Sequence, residues 1–242
     1  MTGTLTISPL LDQLQYIILP GKLPPGSPYV SLHNQAYEYF KTFWRRVFAD
    51  NGLSEPVQFE HDFYRMDFVT LLMHQQSIAG LHLYSFFNLE LSAHCEHEYF
   101  QGNRGDVYLT NLKGHGAKSV LTMEYFTVDP NWRKKQIGLS LGPILGSLGT
   151  RIQLSCGADA SLTRAREDVG SDRMFEELGG EALCKNVSMY NTPVSIMAAY
   201  SENVKGLTDF TSRRYVDKFW SERVDVSQMT DIHKASKSKQ VA

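Results

Sequence analysis

A chain of 242 residues, 42% of them hydrophobic and 21% charged, is long enough to bury a sizeable core and too apolar to remain disordered. Its formal charge of −2 gives no overall basic surface for nucleic acid. No apolar run approaches the ~20 residues that a membrane helix needs, and the N-terminus, MTGTLTISPLLDQLQYIILPG, lacks both a basic start and a sustained apolar stretch. The expectation is a cytoplasmic protein that partners neither membrane nor nucleic acid. Cys95, Cys156 and Cys184 contain no CxxC pair and are odd in number, which argues against a disulfide framework or a structural metal and for reduced thiols.

In chain order, Leu10, Leu11, Leu14 and Ile17 or Ile18 recur at helical spacing and predict a short helix over 7–19, followed by the breaker PGKLPPGSP at 20–28. Tyr37, Phe40, Trp44, Val47 and Phe48 share one face of a helix over 31–49, closed by Asn51-Gly52. MDFVTLLMH and SIAGLHLYSFF read as two strands within 66–88, joined by a turn at Gln75–Ser77. Residues 89–117 mix a helix-compatible piece with glycine-rich loops. A strand over 119–128 runs into Asp129-Pro130, and a helix follows over 136–148. Further expectations are a strand at 152–158, a short helix at 169–178, strands near 182–190 and 194–200, a helix at 208–221 and a polar tail. The order is α/β.

The chemistry concentrates in 121–142, LTMEYFTVDPNWRKKQIGLSLG. A strand enters Asp-Pro, then a turn bearing Arg133, Lys134 and Lys135, then a helix. A helix start offers unpaired N–H groups and the positive end of its dipole, and successive N–H groups in a turn form an anion nest. Glycines at 138, 142 and 146 cost helix stability, roughly 1 kcal/mol each against alanine. They suit a place where another backbone or a ligand comes close.

This piece resembles the acyl-CoA motif of the GCN5-related N-acetyltransferases: valine, any residue, proline, any residue, aromatic, arginine, two variable residues, glycine, apolar, glycine. Here the run is Val128, Asp129, Pro130, Asn131, Trp132, Arg133, Lys134, Lys135, Gln136, Ile137, Gly138, with Gln136 where the first glycine is usual. DVGSDRMFEELGGEAL at 168–183 is similar to the family's next helix and its closing leucine-glycine pair. The resemblance covers roughly 60–200. It implies a mixed, splayed sheet flanked by helices, here with an N-terminal helical extension over 1–28, a catalytic domain over 29–205, and a C-terminal helix and tail over 206–242. It implies that acetyl-CoA or another acyl-CoA lies with its pyrophosphate over Arg133, Lys134, Lys135, Gln136, Ile137 and Gly138, and its pantetheine against the backbone of Phe126, Thr127 and Val128. It implies transfer of the acyl group to an amine on a small molecule or a protein, and leaves a homodimer open.

Several family members hold a glutamate base on this strand, and Glu124 occupies that place; the bland alternative is a glutamate at the sheet edge or paired with an arginine. Phe175 stands where many members carry a tyrosine acting as general acid, and Asp168 where many carry asparagine. Tyr125 and Tyr190 are acid candidates by residue type alone. His94, Cys95, Glu96, His97 and Glu98 form a cluster whose bland reading is a polar helix face, and no metal is expected. His82 reads as structural. Beside the N-acetyltransferase reading stand two others: a synthase joining a carrier-protein-bound acyl chain to an amino compound, and an acyl-CoA-binding module without turnover.

Overall fold

Phe68–His74 and Ser77–Asn88 are apolar on both faces, and a two-residue connection with Gln75 in the left-handed region (φ 53) folds one back on the other. The structure is a computed structural model and describes residues 9–53, 57–101 and 105–228. Its elements are a 3-10 turn at Pro9–Gln13, β1 (Gln15–Pro20), α1 (Val30–Asp50), α2 (Glu60–Arg65), β2 (Phe68–His74), β3 (Ser77–Asn88), α3 (Ser92–Cys95), α4 (Gly105–Gly114), β4 (Ser119–Val128), α5 (Lys134–Ile137), α6 (Leu141–Cys156), β5 (Ala160–Arg166), α7 (Ser171–Glu177), β6 (Glu181–Met189), β7 (Thr192–Tyr200), α8 (Phe210–Ser221) and β8 (Val224–Asp225).

The strands form an open, mixed sheet in the order β6-β7-β5-β4-β3-β2-β1-β8. β1 pairs antiparallel with β2 and parallel with β8. β5 pairs parallel with β4 and antiparallel with β7, and β6 closes that end against β7 through a turn in which Tyr190 and Asn191 both take positive φ.

The chain divides into two compact units, one of residues up to 83, 125–148 and 206–228, the other of 84–124 and 149–205. The first unit builds its core from α1 and α2 on β1, β2 and β3: Phe40 meets Phe59 and Phe63 at ring distances of 5.3 Å, over Leu19, Val69, Leu71 and Leu81. Burying one such side chain stabilises by roughly 1.5–3 kcal/mol. α8 adds Tyr215, Val216 and Phe219, and starts at Asp209, whose side chain accepts the Ser212 N–H at 2.7 Å. The second unit packs Tyr99, Phe100, Tyr108 and Leu112 against Val120, Ala160, Leu162 and Ile196.

Three expectations change. Of the helix read over 7–19, the described residues keep only the 3-10 turn at Pro9–Gln13; Gln15–Pro20 is a strand buried on both faces. A short apolar run fits either period, and here pairing on both sides decides it. The strand read over 152–158 does not form: α6 continues to Cys156, with Ile144, Leu148, Ile152 and Cys156 buried at four-residue spacing, and ends at Gly157 (φ 69). The strand is instead Ala160–Arg166. The helix read over 136–148 is two pieces, α5 and α6, separated by Gly138 in the left-handed region. Within 89–117, α3 falls in the helix-compatible piece, and α4 runs between the two glycine-rich stretches that read as loops.

Candidate active site

β4 loses regularity before it ends. Tyr125 adopts φ 55 inside the strand, a backbone conformation that costs L-residues of order 1–3 kcal/mol. The surroundings hold it there. Its ring meets Phe40 edge-on at 4.8 Å and Trp44 at 5.0 Å, and its hydroxyl donates to the Asp62 carboxylate. Asp62 is itself fixed by the Arg65 Nε–H at 2.8 Å. Two residues on, Thr127 is buried; its hydroxyl donates to the Tyr125 carbonyl at 2.8 Å and accepts the Trp44 indole N–H at 3.1 Å. The backbone of Phe126–Val128 is therefore braced by side chains from α1 and α2.

Asp129 starts the turn. Its N–H donates to the Ala79 carbonyl at 3.0 Å, and its carboxylate accepts the Asn131 N–H at 2.9 Å and the Tyr39 hydroxyl at 3.2 Å. Burial first, and the Asp129 charge second, push the Tyr39 hydroxyl far above the usual phenol range, so it stays a donor. Arg46 and Arg133 both act on Tyr39 through their charge, which brings a cation of α1 to the same turn.

Trp132 and Ile137 are buried and anchor the turn from below, while Arg133, Lys134, Lys135 and Gln136 between them are exposed. The N–H groups of Gln136 and Ile137 donate to the Arg133 carbonyl at 2.8 and 3.2 Å, and that of Gly138 to the Lys134 carbonyl at 2.8 Å. Gly138 takes φ 77 and ψ −8, which favours glycine there, and α6 starts three residues later. The helix-start donors one turn in are then those of Leu141 and Gly142, Pro143 having none. Gln136, at the usual glycine position of the motif, has helical neighbours and no left-handed φ, so its side chain costs nothing there; the glycine that the turn demands is Gly138.

Glu124 is half-buried and accepts the Thr122 hydroxyl at 2.7 Å. Its charge acts on Arg164 of β5. Phe175 lies in α7, 4% exposed and packed on Gly180. The Asp168 carboxylate is gripped by the Arg166 fork at 3.0 and 2.6 Å, which holds it below the usual range as a compensated charge. The Tyr125 proton is committed to Asp62, and Tyr190 sits at an exposed hairpin tip. His94 lies in α3, which ends at Cys95, and His97 lies beyond it, so the two do not share one helix face. Each ring nitrogen Nδ1 accepts a backbone N–H, from Asn88 at 2.8 Å and from Tyr99 at 3.1 Å. His82 is buried against the edge of Phe126, and burial lowers its pKa to about 3, so it is a neutral structural ring near pH 7.

Sequence reasoning did not find Thr122, Asp62, Trp44, Tyr39 or Arg164. Trp44 was legible only as part of an apolar helix face and Tyr39 lay outside that stripe, although each has a polar tip that buried aromatics usually satisfy. Asp62 had no signal. Arg164 was hidden because its strand was placed eight residues too early.

No protein-family model matches the chain, and no curated protein matches it in sequence. Solved structures do match in fold. FeeM, an N-acyl amino acid synthase from uncultured soil microbes, superposes with a TM-score of 0.54 at 13% identity, over 79% of this chain and 93% of its own. BjaI, a CoA-dependent acyl-homoserine lactone synthase solved with MTA, gives 0.57 at 10% identity, over 91% and 99%. The same synthase with SAM and isopentyl-CoA gives 0.55 at 9% identity, over 91% and 99%. The chain has the fold of the GCN5-related N-acetyltransferases. No helix among the described residues is long and apolar enough to cross a membrane.

Proposed function

We propose that this protein is an N-acyltransferase that moves an acyl group, acetyl in the simplest case, from coenzyme A to an amine. The observation that carries the reading is the strand–turn–helix unit β4–α5–α6: an Asp129-capped turn, three exposed cations at Arg133–Lys135, left-handed Gly138, and a helix start immediately beyond. That unit suits a pyrophosphate, because it offers positive charge, N–H donors and close backbone approach together. Thr127 and its neighbours Phe126 and Val128, braced by Trp44 and Tyr125, suit a pantetheine arm that bonds to strand backbone. The fold shared with FeeM and BjaI supports acyl transfer as the reaction class, since both are acyl-transferring synthases by description.

In this reading Glu124 takes the amine proton, directly or through water, as the nitrogen attacks the thioester carbonyl. A backbone N–H of Phe126–Val128 donates to the developing oxyanion. The thiol leaves with help from water, because Phe175 has no proton to give. The second reading delivers the acyl chain on a carrier protein to an amino compound; the fold likeness to FeeM, an N-acyl amino acid synthase, supports the amino compound, and the donor is decided by experiment. Calorimetric titration and thermal shift with coenzyme A, acetyl-CoA and an acylated carrier protein decide between donors. Heat and stabilisation with the CoA species are expected; none at millimolar CoA would overturn the first reading.

A further inference from the structure

Ser212, Tyr215, Val216 and Phe219 are the buried face of α8, at the i, i+3, i+4, i+7 spacing of a helix laid on a sheet. Phe210, Arg213, Arg214 and Asp217 are exposed. Phe210 is 70% exposed, more than any other large apolar side chain among the described residues. Neither the core nor helix propensity asks for an aromatic at that position. The Arg213 guanidinium lies over one face of its ring, 5.8 Å from the centroid, and the exposure of Phe210 leaves the other face open to a flat group.

This face adjoins the cation turn, and both belong to one compact unit. Asp209 caps α8 by accepting the Ser212 N–H at 2.7 Å. That bond first, and the charge of Lys134 last, hold the Asp209 carboxyl below the usual range, so Lys134 stands close to the first turn of α8. Arg133, Lys134, Lys135 and Arg213 are all exposed, and none of the four forms an ion pair among the described residues. A pyrophosphate over Arg133–Gly138 places the rest of coenzyme A, a 3′-phosphorylated ribose and its adenine, one step further out. On the α1 side of the turn the Tyr39 hydroxyl is spent on Asp129, and Arg46 lies over the half-buried Phe43. The solvated ring and the uncommitted guanidinium lie on the α8 side.

We propose that Phe210 and Arg213 of α8 form the 3′-phosphoadenosine subsite for coenzyme A, with the adenine stacked on the free face of Phe210 and the 3′-phosphate between Arg213 and Lys134. The inference rests on the coenzyme A reading of the turn and adds the part of the donor that the chain recognises beyond it. A base stacks on an aromatic ring whatever its edge groups, so Phe210 supplies affinity rather than discrimination. Discrimination comes from Arg213, whose planar fork meets a phosphate at two points. The consequence concerns the donor. An acyl chain on a carrier protein hangs from phosphopantetheine and brings neither adenine nor 3′-phosphate, so this subsite selects the free coenzyme A thioester.

The test is calorimetric titration of the full chain with coenzyme A and with 3′-dephospho-coenzyme A, which differ only by the phosphate. The native protein is expected to bind coenzyme A about tenfold more tightly or better. Arg213→Met should weaken coenzyme A by about fivefold or more and dephospho-coenzyme A by less than about twofold, and Arg213→Lys should fall between. Phe210→Ser should weaken both coenzymes alike, by about threefold or more. Both side chains are exposed, so each variant should keep the native melting temperature without ligand. Equal affinity of the native protein for the two coenzymes, or an equal loss of both in Arg213→Met, overturns the subsite while leaving a pyrophosphate on the turn. Tighter binding of an acylated carrier protein than of coenzyme A, weakened in both variants, gives the surface to a protein and overturns it as well. Absence of coenzyme A binding at millimolar concentration overturns the subsite together with the reading it rests on.

Discussion

The Thr122 hydroxyl donates to the Glu124 carboxylate at 2.7 Å, two residues along one face of β4, and at the same time accepts the Ser85 N–H at 3.2 Å. That chain fixes the direction of a carboxylate at the point where β4 parts from β5. If Glu124 is the base, Glu124→Gln keeps the shape and removes the basicity. The rate constant for transfer should fall by roughly a hundredfold or more, KM for the acceptor should move little, and the acid limb of the pH–rate profile should flatten. Unaltered kinetics would make Glu124 a structural residue.

Gly138 takes a backbone conformation that other residues resist, and it lies three residues after the last exposed cation, Lys135. Gly138→Ala should therefore destabilise by about 1 kcal/mol through strain alone and retain coenzyme A binding. Gly138→Glu adds bulk and a negative charge, and should abolish the thermal shift that coenzyme A gives, with stability in its absence close to that of the alanine variant. Normal coenzyme A binding by the glutamate variant would move the pyrophosphate site away from this turn.

Tyr125 is strained, and Asp62 helps hold it. Tyr125→Phe removes the contact with Asp62 and leaves the ring against Phe40 and Trp44. A hydrogen bond to a charged group contributes about 1.5–3 kcal/mol, so the unfolding free energy from denaturant titration should fall by a comparable amount. Asp62→Asn should lose less, because an amide still accepts from the phenol. If both variants match the native protein in stability and turnover, the bend in β4 is held by ring packing alone.

What the sequence made legible follows what was local. The strand Ser119–Val128 and the turn at Asp129 announced themselves, because apolar patterning, an Asp-Pro start and a cation run are all contained within twenty residues. α1 was legible from its aromatic stripe. Gln15–Pro20 was not, because four consecutive buried residues satisfy helix and strand spacing alike, and only its two neighbours β2 and β8 decide. Ala160–Arg166 was not, because Arg164 and Arg166 sit in a strand whose alanines and arginines carry weak β preference. The site suffers the same way: the cation turn was visible, but the braces from Tyr39, Trp44 and Asp62 depend on contacts 63–90 residues apart.

His82 makes acid stability a measurable property of one residue. Its folded pKa is lowered to about 3 from 6.5 by burial, so the unfolded chain binds a proton that the folded one refuses between those values. Stability is therefore intact above about pH 6.5 and is lost as pH falls toward 3, by roughly 1.4 kcal/mol per unit from this group. His82→Phe removes the titration and keeps an aromatic ring beside Phe126. The drop in urea midpoint between pH 7 and pH 4.5 should be clearly smaller in the variant. Parallel pH dependence in the two proteins would mean that His82 is protonated without opening the core.

Phe175 is 4% exposed in α7, and its ring packs on Gly180, where any side chain would collide with it. Phe175→Tyr introduces a hydroxyl at a buried position; left without a partner, such a group costs roughly 1–3 kcal/mol. The variant should fold with a slightly lower melting temperature. Its effect on catalysis separates two accounts of the native protein. A departing thiol with a free pKa near ~8.5 needs only modest help to leave, so if water supplies that help the rate should change by less than about tenfold, or ~1.4 kcal/mol in barrier. A gain of several hundredfold would mean that the native chain lacks its acid. It would then be better described as an acyl-CoA binder with residual transfer, and the search for its role would turn from products to the protein or small molecule that responds to the bound acyl group.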